Sequence, residues 1–179
     1  AIGRVILGGG HPVVIQSMYA ALVRLGFAHG RVLEPACGVG HFFGHMPEDM
    51  RGRSPVTGVE IDPLTARLAK ALYPDADIRA QPFEDARLPT NYFDLAISNV
   101  PFGDYAPFDP KLNPRKFRIH DYYFPASLAR VRPGGLVVFI TTRGTMDKVS
   151  PEVRGIIAKE ADLLAAVRLP NTAFQQTAK

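Results

Sequence analysis

The stretch Arg31-Val32-Leu33-Glu34-Pro35-Ala36-Cys37-Gly38-Val39-Gly40 decides how this chain is read. Arg31 to Glu34 predicts a short strand, Cys37 to Gly40 a tight turn, and Phe42 and Phe43 a short helix behind it. Glycines after a first strand let the backbone approach a ligand closely. The helix that follows offers unpaired N–H groups. By itself such a turn equally serves as a plain strand-to-helix connection. Its partner is Glu60, 20 residues beyond Gly40 at the end of the predicted strand Val56–Glu60. A carboxylate there can accept both hydroxyls of a ribose, so turn and acid together point to a nucleoside-containing ligand. A dinucleotide site would place a third glycine where Phe43 stands, and Glu34 would repel a pyrophosphate.

Outward from this stretch, strands and helices alternate. Ser17 to Leu25 reads as an amphipathic helix with Met18, Leu22 and Leu25 on one face and Gly26 as its stop, after a loop Gly8-Gly9-Gly10-His11-Pro12. Asp62-Pro63 reads as an N-cap with proline at the first helical position, opening a helix that runs to Tyr73. Further strands are expected at 78–80, 93–98, 136–142 and 163–169, with helices at Asp121–Val131, capped by Asp121, and Pro151–Lys159. Gly134-Gly135 reads as the turn into the strand at 136. The expected architecture is α/β: a three-layer sandwich on a mainly parallel sheet. Ligands of such sheets sit beyond the carboxyl ends of the strands.

The chain has 179 residues, 46% of them hydrophobic and 21% charged, which suits one globular domain and excludes wholesale disorder. Residues 1–30 would be an N-terminal loop and helix, 31–142 the core and 143–179 a C-terminal part. No apolar run is long enough to span a bilayer, and no basic-then-apolar leader opens the sequence, so a cytoplasmic protein is expected. The one cysteine, Cys37, excludes an intramolecular disulfide framework. The net charge of +4 permits a nucleic-acid partner without requiring one.

A second turn, Asn99-Val100-Pro101-Phe102, follows the fourth strand. An amide oxygen and a backbone carbonyl can together accept two hydrogen bonds from one exocyclic amino group, and the Phe102 ring can stack on a planar base. Glu34 suits a cationic ligand. S-adenosylmethionine carries an amino group and a sulfonium, plus the ribose that Glu60 would hold. Together these turns resemble the class I S-adenosylmethionine-dependent methyltransferases, and within them the N6-adenine-specific DNA methylases of the gamma group. Ile97 to Gly103, Ile119 to Phe124, Arg132 to Leu136, Thr142 to Lys148 and Arg168 to Phe174 are similar to methylase modules fused to large helicase-like proteins of plasmids and phages.

The resemblance implies methyl transfer from S-adenosylmethionine to the amino group of adenine in DNA, with a helicase-like or target-recognition partner. It implies that Glu34, Pro35, Ala36, Cys37, Gly38 and Gly40 hold the methionine part, and that Glu60 holds the ribose. Ile61 would pack on the cofactor's adenine, whose amino group would meet either Glu84 or Asp85. Asn99 and the carbonyl of Val100 would bind the target amino group, with Pro101 fixing the turn and Phe102 stacking on the base. Two departures stand out: Val100 replaces a proline, and Gly10-His11-Pro12 stands where the family has a Tyr-Thr-Pro-like segment. The long segment 103–120 carries Lys111, Arg115, Lys116 and Arg118 among Tyr105, Phe108 and Phe117, a pattern that can follow a phosphate backbone. Alternatives are an amide (glutamine) or RNA-base methyltransferase, and a remnant that binds cofactor or nucleic acid without turnover. Cys37 is expected to pack, not react. The family has a seventh, antiparallel strand, and six are expected here, so a truncated core is expected.

Overall fold

The computed structural model describes residues 12–170, and strands and helices alternate through it. The five strands are β1 (Val32–Glu34), β2 (Val56–Glu60), β3 (Asp77–Ala80), β4 (Phe93–Asn99) and β5 (Val131–Ile140). They form one sheet in the order β3-β2-β1-β4-β5, with every pairing parallel. The helices are α1 (Pro12–Arg24), α2 (His41–Gly44), α3 (Glu48–Arg51), α4 (Pro63–Leu72), α5 (Ile119–Leu128), α6 (Arg143–Met146) and α7 (Glu152–Glu160), with a 3-10 turn at Phe83–Asp85. The expected α/β sandwich is therefore present.

Period-two alternation builds the core on both sheet faces. Val32, Leu95, Ile97 and Ile140 face Ile15, Tyr19 and Leu22 of α1 and Phe42 of α2. Leu33, Ala96, Val100 and Val131 face Phe83 and Ile119, Tyr122, Tyr123 and Ala126 of α5. β4 lies inside the sheet between β1 and β5 and is buried along most of its length, as a parallel strand covered on both faces must be. The strand order reverses between β1 and β4, so Glu34 and Asn99 end on either side of the switch point.

Local signals explain the elements. Asp62 caps α4: its Oδ2 accepts from the Thr65 backbone N–H at 2.7 Å and the Thr65 hydroxyl at 2.6 Å, and Pro63 follows at the first position. Gly26, at φ 87°, ends α1.

Several expectations are corrected. α1 starts at Pro12, and its buried face is Ile15, Tyr19 and Leu22, with Leu25 51% exposed. Gly134 and Gly135 lie inside β5: Phe93 pairs with Val131 and Leu95 with Leu136, so a bulge takes up the glycines. Helix α5 starts at Ile119, with Arg118 at its cap. The strand expected at 163–169 is absent. Residues 161–170 carry no regular structure; Leu163, Leu164 and Val167 are exposed, and Leu169 packs on the α1-side core. The apolar run has no described strand to pair with there, and an isolated strand does not persist in water. The described sheet thus has five strands, not six. His11, its preceding glycines and Asn171 to Phe174 lie outside the described residues.

At the amino end of the sheet, Asp94 ties three segments together. Its carboxylate accepts from the Arg31 backbone N–H at 2.7 Å, Arg31 Nε at 3.0 Å and Arg132 Nε at 2.6 Å. Burial alone would raise its pKa, but the bonds from Arg31 and Arg132 outweigh that and hold it well below the ordinary aspartate range. A lowered folded pKa stabilises above the unfolded value, near pH 4, and that stability disappears as pH falls through the folded value. Asp94→Asn should therefore cost about 1–2 kcal/mol at pH 7. The gap to the wild type should begin to narrow as pH falls below about 4 and should close only below the folded value. Denaturant melts at pH 7 and pH 3 check this; a gap unchanged by pH would contradict it.

Candidate active site

The carboxyl ends of β1, β2 and β4 come together at the switch point. Gly38 and Gly40 both adopt left-handed backbone angles, φ 54° and 86°. They turn the chain from β1 into α2, where Cys37 N donates to Val59 O at 2.9 Å and Gly40 N to Cys37 O at 2.8 Å. A Cβ on Gly38 would meet nothing within 4 Å, so the space over the turn is open. A Cβ on Gly40 would lie 2.5 Å from the Tyr73 ring, which backs the turn. Cys37 is buried, and its sulfur fills the space over Gly58, where a Cβ would lie 2.8 Å away. Burial foremost, with the charges of Glu34 and Glu60, pushes its thiol pKa far up, which leaves it unreactive at neutral pH.

The two acids at these strand ends differ. Glu60 is held rigid: Oε2 accepts from Gly38 N at 2.9 Å and Oε1 from Asp62 N at 2.8 Å. Each oxygen keeps a second acceptor direction. Glu34 is 2% exposed, and its Oε2 has no hydrogen-bond partner among the described residues. Burial first, and the nearby Glu60 charge second, raise its carboxyl pKa well above the ordinary range. A buried, unsatisfied carboxyl is costly unless a ligand donor completes it. Ile61 stands 62% exposed beside this pair. Pro35 and Ala36 join Glu34 to the turn, and Ala36 packs on the α5-side core.

The sequence leaves Glu84 and Asp85 as equal candidates, and the two differ in burial. Glu84 is half-buried and its charge is felt by the phenols of Tyr105, Tyr122 and Tyr123, whereas Asp85 is exposed. Tyr123, to which the sequence assigns no role, lies near Glu84 and Glu60. It is 6% exposed on α5 and lies in the fields of Tyr105, Glu84, Glu60 and Cys37, although burial is the main cause of its raised pKa. Its sequence signals are its place in the segment Ile119 to Phe124 and in the aromatic run Tyr122-Tyr123-Phe124, which reads equally as core.

At the end of β4, Asn99 pairs with Ile140, and Val100 N donates to Ile140 O at 3.1 Å. The Asn99 Oδ1 is buried and unpartnered among the described residues. Val100 is buried in the α5-side core, which anchors the turn where a proline is missing. Pro101 is half-buried and Phe102 55% exposed.

The four basic residues after this turn do not act alike. Arg115 is ion-paired with Glu152, and Arg118 with Asp104 at 3.0 Å. Lys111 and Lys116 are exposed and have no acidic partner among the described residues. Asp121 is not a cap. It is fully buried in the first turn of α5, where Oδ2 accepts from Lys148 Nζ, with His120 Nε2 at 3.8 Å. The N-terminal acid is drawn inward because Lys148, from the segment after α6, reaches it. Among the described residues no three His, Cys, Asp or Glu side chains gather as metal ligands, and no helix is long and apolar enough to cross a membrane.

Comparison with known proteins agrees with this layout. Residues 33–108, from β1 to just past the Asn99 turn, match a family model described as a methyltransferase domain. The chain superposes on a Listeria monocytogenes protein provisionally assigned as a class I S-adenosylmethionine-dependent methyltransferase. The TM-score is 0.65 at 21% identity, covering 83% of this chain and 50% of that one. The fold is that of the class I methyltransferases. A modification subunit of a provisionally assigned type I restriction enzyme from Vibrio vulnificus superposes with a TM-score of 0.60 at 20% identity, over 89% of this chain and 39% of that one. In sequence, the chain is 27% identical over 165 residues to the defense against restriction protein B of Escherichia phage P1. That alignment takes in 89% of this chain but 7% of the phage protein. The matched domain and the methyltransferase neighbours support S-adenosylmethionine as the cofactor. The site fits it: the orphaned Glu34 oxygen suits an ammonium, fixed Glu60 suits ribose hydroxyls, and the space over Gly38 is open.

Proposed function

We propose that this chain is a methyltransferase core that methylates the exocyclic amino group of adenine in DNA. The reading rests above all on the buried, unpartnered Asn99 oxygen at the end of β4, across the switch point from the equally unpartnered Glu34. The modification-subunit and phage neighbours favour a DNA substrate over a small molecule. The gamma-group resemblance of the two turns, in their order along the chain, favours N6-adenine.

When bound, S-adenosylmethionine supplies a methyl group on a sulfonium. Glu34 takes its ammonium, Glu60 its ribose hydroxyls, Ile61 a face of its adenine and Glu84 the adenine amino group. Pro35, Ala36, Cys37, Gly38 and Gly40 shape the floor. Asn99 Oδ1 and the Val100 carbonyl each accept one N–H of the target amino group. Those bonds draw the nitrogen lone pair out of conjugation and fix its direction, so positioning and lone-pair activation replace a strong base, and the proton is lost to water after the methylated nitrogen has become cationic. Phe102 stacks on the target base, which leaves a duplex by flipping. A helicase-like or target-recognition partner would supply sequence choice.

Incubating the chain with S-adenosylmethionine carrying a tritiated methyl group, and with DNA, RNA and protein pools, tests this. Label recovered as N6-methyladenine in DNA is expected. Label confined to protein or RNA would overturn the DNA reading, and an absence of cofactor binding by calorimetry would overturn the enzyme reading.

A further inference from the structure

The loop that leaves the Asn99 turn is more ordered than its lack of helix and strand suggests. Asn113, 3% exposed, donates from Nδ2 to Pro107 O at 2.9 Å and Phe117 O at 3.0 Å, and its Oδ1 accepts from Phe117 N at 2.7 Å. Asp109 accepts from Lys111 N at 3.0 Å and Leu112 N at 2.9 Å through Oδ1, and from the Tyr122 hydroxyl at 2.9 Å through Oδ2. Pro107, Pro110 and Pro114 each fix a φ angle. The segment is thus pinned from inside and to α5.

This scaffold holds a mostly apolar hollow lined by Pro107, Phe108, Pro110, Asn113, Lys116 and Asp109, whose carboxylate is taken up by the three bonds above. Phe108 beside it is 84% exposed. A rigid loop that keeps a phenyl ring in water forgoes the burial that would stabilise the ring elsewhere. Phe102 and Tyr105, 55% and 54% exposed, stand at three-residue intervals before it. The charges at the hollow point to its occupant. Arg115 and Arg118 are paired with Glu152 and Asp104, while Lys116, which lines the hollow, and Lys111, next to its Pro110 in the chain, have no acidic partner among the described residues. An apolar slot with a stacking ring and two spare cations suits a planar base on an anionic backbone.

We propose that this hollow receives a nucleobase of the strand that carries the target adenine, stacked on Phe108, with its flanking phosphates met by Lys111 and Lys116. The site rests on the DNA reading above. It separates two roles within one loop: Phe102 serves the reacting base, and Phe108 holds a neighbouring one.

The test uses the 179-residue chain and a fluorescent single-stranded oligodeoxynucleotide, followed by anisotropy. Base–aromatic stacking is worth about 1–3 kcal/mol, so Phe108→Ala should weaken binding at least about fivefold. Phe108→Trp should retain it, and the S-adenosylmethionine Kd should not move in either variant. Lys111→Gln with Lys116→Gln should flatten the slope of log K against log salt by about 1.4, two phosphate contacts on a single strand. Phe108→Ala binding as tightly as the wild type, with the lysine pair still lowering the salt slope, overturns the hollow and leaves the DNA reading standing. A wild-type chain that binds no oligodeoxynucleotide overturns both. Tighter binding of the matching oligoribonucleotide assigns the hollow to RNA and overturns it as a DNA site.

Discussion

Asn99→Ala is expected to lower methyl transfer by at least about 100-fold, the loss typical of removing one preorganised hydrogen-bonding group aimed at a reacting centre. The Asn99 oxygen has no partner among the described residues, so removing it breaks no bond described within the fold. Its neighbour Val100 keeps its backbone bond to Ile140, so the turn should persist. S-adenosylmethionine affinity should therefore stay within about twofold, because uniform binding and transition-state positioning are separable. Single-turnover transfer and calorimetry on the same preparation give both numbers. A lost cofactor affinity would show that Asn99 belongs to the cofactor side and refute its role. Asn99→Asp, which keeps an acceptor oxygen, should retain part of the rate, a pattern that a purely structural role would not produce.

The second large effect is expected at Glu34. Removing one partner of a buried charge pair typically costs about 2–5 kcal/mol, so Glu34→Gln should weaken S-adenosylmethionine binding by at least about 30-fold. The sign of the pH effect follows from the surroundings. Glu60, Tyr19, Cys37 and Tyr73 face Glu34 electrostatically, and none of them is a cation. The empty carboxyl therefore holds its proton to higher pH than usual, while an ammonium partner favours the carboxylate. Binding should release a proton, and affinity should rise with pH until pH passes the raised Glu34 value, then level off. Calorimetry in two buffers of different ionisation enthalpy reads the released proton directly. No proton release by the wild type, or a pH dependence that survives in Glu34→Gln, would count against this assignment. The same substitution should raise stability without cofactor, since it removes a buried acid whose pKa is unfavourably raised.

Much of the fold was legible because it rests on short-range signals. Apolar alternation marks β2 and β4, and Asp62-Pro63 marks the start of α4 through a cap that needs no tertiary partner. Failures fall where a distant partner decides. Leu163 to Leu169 has the apolar pattern of a strand, yet pairing depends on a neighbour, and residues 161–170 lie off the sheet. Gly134-Gly135 looks like a turn, yet the register of β4 absorbs both glycines in a bulge. Asp121 has the residue type of a cap, yet Lys148 draws it into the interior. The four basic residues after Phe102 are alike in sequence, and only their acidic neighbours separate Arg115 and Arg118 from Lys111 and Lys116.

By itself, the sequence determined the α/β class, the glycine turn, the acid at the end of β2 and the Asn99 turn, because each is encoded by a handful of consecutive residues. The tertiary structure decided which polar atoms remain without partners. Satisfaction of a hydrogen-bonding group is a property of everything around it. Glu60 and Glu34 are the same residue type at equivalent strand ends, but Glu60 is bound by two backbone N–H groups and Glu34 keeps a buried oxygen unpaired. That difference, set by residues far apart in the chain, separates an acid satisfied by the fold from one whose buried oxygen the described fold leaves unpaired.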